Sequence, residues 1–421
     1  MAGRVASARH SHRGRSRATN WATSEEWKGR QVIVGVPKES YPGERRVALV
    51  PAVVPSLTKA GFEVSIESGA GASAGYPDAQ YTEKGAKIAA SRADLFASAD
   101  IVLQVLGPGA NDVTGNADLA LYRKGQVVVG FLRPLASAQD TGRLASSGVT
   151  SFAVELVPRI TRAQSMDALS SMATVSGYKA VLMAANVSPR FFPMMTTAAG
   201  TITPARVLIV GVGVAGLQAI STARRLGAVA SAYDIRPAVK EQVQSLGGKF
   251  VELPLEITGA QDTRGYGTQQ SEDVIKKQRE LLATTVGGSD VVITTAVVPG
   301  KKAPILVTAD MVKGMAPGSV LIDLAAERGG NCELTKPGET TIQHGVSIVG
   351  PINLAGTVPY HASQMYARNL MTLLVYLAKD GKLQFNMQDE VTRETMLTRE
   401  GEIVSPRVRE FFQLPALATA G

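Results

Sequence analysis

Three glycines carry the best-defined chemistry in this sequence. Gly211, Gly213 and Gly216 spell Gly-Val-Gly-Val-Ala-Gly, directly after the apolar run Arg206–Val210 and before a helical pattern over Leu217–Leu226. Between a strand and a helix, the first glycine permits a tight turn. The second lets the backbone approach a pyrophosphate, and the third lets helix and strand pack closely. Unpaired N–H groups and the dipole at the helix start favour an anion. The next apolar run, Val229–Tyr233, ends at Asp234, about 20 residues on, where an acid binds ribose hydroxyls. A carboxylate there repels a 2′-phosphate, so the pattern predicts NAD(H) rather than NADP(H). Arg236 is a complication, because an Arg here can hold a 2′-phosphate. Behind Asp234 it reads as an adenine-side contact or a local ion pair. The plainer alternative is a glycine-rich turn in an α/β domain.

A second cluster is polar. Pro158–Ser171 crowds Arg159, Arg162, Gln164, Asp167 and Ser170 into one segment near the place where two halves of the chain should meet. Ligands of open α/β sheets bind in such crevices. Gln164, Asp167 and Ser170 recur every three residues and so share one face of a turn or helix start. The structural alternative is a helix N-terminus with Ser165 as its cap and the charges solvated. Acid–base groups are scarce. There is no Ser/His/Asp arrangement and no HExxH motif. Beyond the N-terminal tail the histidines are His344, in a polar Gln-His-Gly turn, and His361, beside Tyr360, where a structural role outweighs a catalytic one. A dinucleotide protein without an evident acid–base residue needs an explanation.

The elements that position these groups alternate between strand and helix. Short apolar runs lie at Gln31–Val36, Phe62–Ile66, Ile101–Val105, Gln126–Phe131 and Thr150–Ala153. A second series lies at Arg206–Val210, Val229–Tyr233, Lys249–Val251, Asp290–Thr294, Ser319–Asp323 and Val346–Val349. Apolar runs without period-2 alternation, separated by helical patterns, argue for parallel strands covered on both faces. The fold class is α/β, with two doubly wound, Rossmann-like domains, a cleft between them and a discontinuous first domain. The expected division is a basic tail over 1–29, a first domain over 30–165 plus 357–421, and a dinucleotide domain over 166–356. Ser363–Leu377 reads as a long helix completing the first domain. No internal repeat of fixed period is visible.

Composition bounds the alternatives. The 421 residues carry a net charge of +8, with 45% apolar and 19% charged residues, which is globular. Arg4, Arg9, Arg13, Arg15, Arg17 and Lys28 stand against Glu25 and Glu26, so half of the excess charge lies before Arg30. This stretch reads as a disordered basic tail, a start placed too far upstream, or a mitochondrial transit peptide. His10 and His12 within it form no preformed metal site. The rest is near charge balance and aromatics are 5%, so nucleic acid is not an expected partner. Cys332 is the single cysteine, which excludes an intramolecular disulfide framework. No stretch reaches the ~18 apolar residues of a membrane span.

The sequence resembles the NAD(H)-binding component, domain I, of proton-translocating NAD(P) transhydrogenase, and more closely the separate alpha-1 chain of the three-subunit bacterial form. The resemblance runs from about Gln31 to about Pro406. It rests on Val36–Glu39 with Glu44–Pro51, Arg159–Ser171, the Gly211–Gly216 turn with Tyr233–Arg236, Thr294–Ala296 with Pro299-Gly300, and Asp323–Cys332. It implies that Arg159, Gln164, Asp167 and Ser170 surround the nicotinamide, with Gln164 reaching across to the partner's NADP(H) site, and Arg162 in the same loop. It implies cofactor contacts from Val214, Asp234, Ile235 and Arg236, from Thr295, Ala296 and Val297, and from Gln278. It also implies a mobile closing loop at Gly265 and Tyr266, where this sequence departs most from its relatives. The implied assembly is a homodimer on an NADP(H)-binding beta subunit and a small membrane alpha subunit, at the cytoplasmic face of the inner membrane. The alternative setting is the mitochondrial matrix if the tail is a transit peptide, although the split form argues against it. The short apolar end, Leu414–Gly421, fits that split form.

Hydride passing between two nicotinamides moves no hydroxyl or amine proton, which accounts for the missing acid–base group. The runner-up is alanine dehydrogenase, which shares the fold and Arg46. Gln104–Pro108 and Leu132-Arg133 stand where that enzyme's catalytic Lys and His should be. A third possibility is a nucleotide-sensing subunit without turnover.

Overall fold

In this computed structural model, residues 31–252, 280, 282–379, 381–415 and 417 are described. Valine, isoleucine and leucine runs build the strands. In the first sheet β1 (Ile33–Val36), β2 (Glu63–Glu67), β3 (Lys87–Ala89), β4 (Ile101–Leu106), β5 (Val127–Phe131) and β6 (Thr150–Ala153) are parallel, in the order β3-β2-β1-β4-β5-β6. All of β5 and β6 is buried, as a sheet covered on both faces requires.

An exposed hairpin, β7 (Met195–Thr197) with β8 (Gly200–Ile202), precedes the second sheet. That sheet holds β9 (Arg206–Val210), β10 (Val229–Tyr233), β11 (Lys249–Phe250), β12 (Val291–Thr294), β13 (Val320–Asp323), β14 (Thr340–Gln343) and β15 (Val346–Val349), in the order β11-β10-β9-β12-β13-β15-β14. Both sheets thus start in the middle, wind to one edge and then return to wind to the other.

The sheets depart from all-parallel at their edges. Strand β14 runs antiparallel to β15, and its two-residue turn, His344-Gly345, has positive φ at both positions (52° and 78°). Two left-handed residues match the right-handed strand twist, so this is a tight hairpin. His344 is exposed, as a solvated turn residue should be. After a small hairpin of β16 (Ala378–Lys379) and β17 (Lys382–Leu383), strands β18 (Met396–Arg399) and β19 (Glu402–Ile403) return to the first sheet, with β18 antiparallel to β6.

Two long helices tie the sheets together. The crossing helix, Ala168–Val187, gives Ala168, Met172 and Val175 to the core of the first sheet, and Ala180, Val181 and Ala184 to that of the second. Its cap is Asp167, not Ser165: the Asp167 side chain accepts from the Ser170 N–H at 2.8 Å, while Ser165 lies within a 3₁₀ turn over Thr161–Met166. The return helix, Pro359–Leu377, opens on proline, which suits a first helical position, and begins before the Ser363 expected. Its Ala362, Tyr366, Leu370, Leu373 and Leu377 sit in the first core. Among the described residues no helix is long and apolar enough to cross a membrane.

The first sheet's crevice is filled by the chain itself. Its winding reverses between β1 and β4, and there Glu39 spans the gap, accepting the N–H groups of Val105 at 2.6 Å and Leu106 at 3.1 Å. Burial, with help from the nearby Glu44 charge, pushes the Glu39 carboxyl up to about 8. The folded state therefore keeps a proton that the unfolded chain gives up once pH passes its ordinary value near ~4.3. The sign follows: stability is greatest at the acid end and falls as pH rises toward 8. One pKa unit between the folded and unfolded states corresponds to about 1.4 kcal/mol. Glu39→Gln should flatten the fall in melting temperature between pH 6 and 9 measured by calorimetry. Parallel curves for variant and wild type would refute the assignment.

Candidate functional site

The second sheet reverses between β9 and β12, and its crevice is not filled in this way. Gly211 ends β9 at φ 99°, in the left-handed region glycine favours. A Cβ there would lie 2.8 Å from Thr295 Oγ1 and 3.0 Å from the Ala296 nitrogen, so strand end and facing loop are in close contact. Thr295 Oγ1 donates to the Gly211 carbonyl at 2.8 Å. A Cβ on Gly216 would sit 2.1 Å from that same carbonyl oxygen, which is why helix and strand can pack here. Gly213 is the N-cap of the helix Val214–Arg225 and makes no side-chain cap, and a Cβ on it would meet open space. The first-turn N–H groups thus face an open approach with no side chain in the way. These residues fit the pyrophosphate of a dinucleotide.

Asp234 follows β10 and turns back onto the glycine turn. It accepts from the Val212 N–H at 2.7 Å, the Arg236 N–H at 2.8 Å, and Arg236 Nε and Nη2 at 2.9 Å each. Arg236 Nη2 also donates to the Val212 carbonyl at 3.0 Å. The local ion pair, one of the two roles expected for Arg236, is present. The carboxylate is already well hydrogen-bonded, so it fixes the turn as well as offering an acceptor at its rim. Ile235 is half-buried against the core beside this pair.

The far wall is Thr295, Ala296 and the more exposed Val297. Sequence reasoning placed these residues but missed what holds them. Asn331 Oδ1 accepts from the Ala296 N–H at 2.9 Å, and Asn331 Nδ2 donates to the Ala296 carbonyl at 2.8 Å. Asn331 and Cys332 in turn donate their N–H groups to the fully buried Asp323, which also accepts from Thr294 Oγ1 and Thr335 Oγ1. The signal available was the polar Gly-Gly-Asn run after β13, which marks a turn but not its partner.

The polar segment lies at the start of the crossing helix. Ala163 and Met166 are buried, whereas Arg159, Arg162, Gln164 and Ser165 are exposed. Asp167 and Ser170 are paired with each other, Ser170 Oγ donating to Asp167 Oδ2 at 2.6 Å. Arg162 pairs with Asp389 at 3.0 Å, on the C-terminal part of the chain. Farther along the same helix, a Cβ on Gly177 would lie 2.1 Å from the Ala215 carbonyl oxygen, so the crossing helix bears directly on the first turn of the dinucleotide helix. Gly265, Tyr266 and Gln278 lie outside the described residues. Among the described residues there is no cluster of metal ligands.

The sequence matches the family described as alanine dehydrogenase/PNT, with the N-terminal domain over residues 35–176 and the C-terminal domain over 180–406. The chain belongs to the alanine dehydrogenase/PNT family. Among its relatives in that family, the first of the separately encoded parts of the NAD(P) transhydrogenase alpha subunit of Rhodospirillum rubrum is 47% identical over 89% of this chain and 98% of that one. The corresponding Rickettsia prowazekii protein is 43% identical over 89% of this chain and 97% of its own. Alanine dehydrogenase of Mycobacterium tuberculosis is 30% identical over 91% and 97%. A solved transhydrogenase structure from Sinorhizobium meliloti has a TM-score of 0.76 at 43% identity, covering 89% of this chain and 99% of that one. Both α/β units of the family are therefore present in one chain.

Proposed function

We propose that this chain is the NAD(H)-binding component of a proton-translocating NAD(P) transhydrogenase. The observation that carries the reading is the pairing, within one chain of this family, of an open, uncapped glycine turn with an exposed amide, Gln164, on a buttressed surface turn. Gly211, Gly213, Val214 and Gly216 would hold the pyrophosphate, and Asp234, Ile235 and Arg236 the adenosine side. Thr295, Ala296 and Val297 would line the opposite wall, joined by Gly265, Tyr266 and Gln278. Arg159, Arg162, Gln164, Asp167 and Ser170 would orient the nicotinamide. When bound, the nucleotide supplies a transferable hydride, and NADP(H) on a partner chain accepts or returns it. The protein's share is binding, orientation and exclusion of water. Neither described histidine belongs to this crevice: His344 is in an exposed turn of the sheet edge, and His361 is exposed on the return helix beside Tyr360.

The same reading divides the chain at residues 165/166 and 356/357 and places it, without a span of its own, on membrane subunits that move the proton. Two copies would associate. The exposed β7–β8 hairpin, with Phe191 and Met194 at 54% and 63% exposure beside it, supports a homodimer. The alanine dehydrogenase alternative is disfavoured by the first-domain cleft. There Arg46 is buried and engaged by Glu44, Nε to Oε1 at 2.8 Å and Nη2 to Oε2 at 2.6 Å, and by Asn353. Gln104 is likewise engaged, donating to Asp118 at 2.9 Å.

The test is to mix this chain with a purified NADP(H)-binding partner and follow reduction of a nicotinamide analogue, with alanine, pyruvate and ammonia in a parallel assay. Transfer in the first mixture and none in the second is expected. Turnover of the amino acid would favour the dehydrogenase, and NADH binding without transfer would favour a sensor.

A further inference from the structure

We propose that Asn369 and Asp389 are positioning residues that hold the Thr161–Met166 turn, so that the Gln164 amide leaves the surface in one orientation. This rests on the functional reading above and extends it to two residues distant in sequence. Support reaches Gln164 from both sides. Two residues before it, Arg162 donates to Asp389 Oδ1 at 3.0 Å. One residue after it, the Ser165 carbonyl accepts from Asn369 Nδ2 at 2.8 Å. Ala163 and Met166 anchor the turn from beneath. The Gln164 side chain itself makes no hydrogen bond among the described residues.

Each support is fixed in its own right. Asp389 accepts from the Tyr376 hydroxyl at 2.8 Å and from the Thr392 N–H at 2.9 Å, where it caps the helix Glu390–Thr395. An exposed ion pair between two free side chains contributes little, but here one partner is already immobile. Asn369 is 7% exposed, and its Oδ1 is buried with no partner among the described residues. A buried amide with an unmet acceptor is a standing penalty, and a leucine would fill the same space without it. What the asparagine alone supplies is a donor to the Ser165 carbonyl. Both contacts converge on the backbone that aims Gln164, and misplacement by about 1 Å can slow a reaction roughly a hundredfold.

The variants are Asn369→Leu and Asp389→Asn, the latter because asparagine also caps a helix. In the isolated chain, hydrogen exchange at residues 161–167 should quicken by about fivefold or more. With the NADP(H)-binding partner, hydride transfer at saturating NADH should fall about five- to fiftyfold, with NADH affinity within about twofold of wild type. The primary isotope effect from 4-deuterated NADH should rise, and Asp389→Glu should restore most of the rate. Unchanged exchange and rate in both variants would overturn the inference. So would a loss of NADH affinity as large as the loss of rate. If wild-type chain transfers no hydride, the functional reading fails, while the exchange measurement still decides whether these residues hold the turn.

Discussion

Gln164→Asn lowers hydride transfer in the reconstituted complex by about a hundredfold while NADH affinity stays within about twofold. The reasoning is geometric. Asparagine keeps the amide and removes one methylene, so the polar head is drawn back toward the turn by more than ~1 Å. A displacement of that size between reacting groups is worth about 10² in rate. The turn cannot follow the shorter side chain outward, because Ala163 and Met166 are buried on either side of it. Little binding should be lost, since Gln164 is exposed and does not shape the glycine turn. Stopped-flow transfer and equilibrium titration of NADH separate the two quantities. Normal transfer with greatly weakened NADH binding contradicts the role.

Asp234→Ala weakens NADH and reduces discrimination against NADPH. Two effects add. The Val212 N–H loses its acceptor at 2.7 Å, which loosens the glycine turn, and any ribose contact at the rim is lost. Hydrogen bonds to a charged group are worth about 1.5–3 kcal/mol, so NADH affinity should fall roughly tenfold to a hundredfold. Arg236 is released at the same time. In the native protein the Asp234 hydrogen bonds hold this guanidinium above its ordinary pKa and within an ion pair whose members are 14% and 7% exposed. Freed of that pair, it can meet a 2′-phosphate bidentately. Asp234→Asn, which keeps an acceptor for Val212, should fall between the two. Calorimetric titration with both nucleotides reads the ratio, and an unchanged ratio would remove Asp234 from cofactor selection.

Some of this architecture was legible because physics restricts the residue type. Gly211 and Gly216 stand where a Cβ meets backbone or a facing side chain, so the turn announces itself. Strands buried on both faces leave apolar runs such as Val127–Phe131. Other features leave no such trace. Strands β18 and β19 are short and carry Thr398, Arg399 and Glu402, and they belong to the first sheet only because β6 offers an open edge. Ser165 reads as the cap of the crossing helix because serine and aspartate both cap well, and two such residues stand two positions apart. Which one serves is decided by the 3₁₀ turn that absorbs Ser165. Asp323, Asn331 and Asn369 act through hydrogen bonds across long stretches of chain, and no local period encodes those. The spacing of Asp234 marks a ribose acceptor. That it also stitches β10 to the glycine turn follows from the ion pair, which spacing alone does not reveal.

The sharpest test follows one hydrogen atom. NADH carrying deuterium at C4 on the transferred face is mixed with this chain and an NADP(H)-binding partner in ordinary water, and the NADPH formed is examined by mass spectrometry. Direct passage from ring to ring, with no titratable side chain taking part, predicts that the NADPH carries the full label. Label lost to water, or NADPH that forms with a solvent-derived hydrogen, would contradict the account.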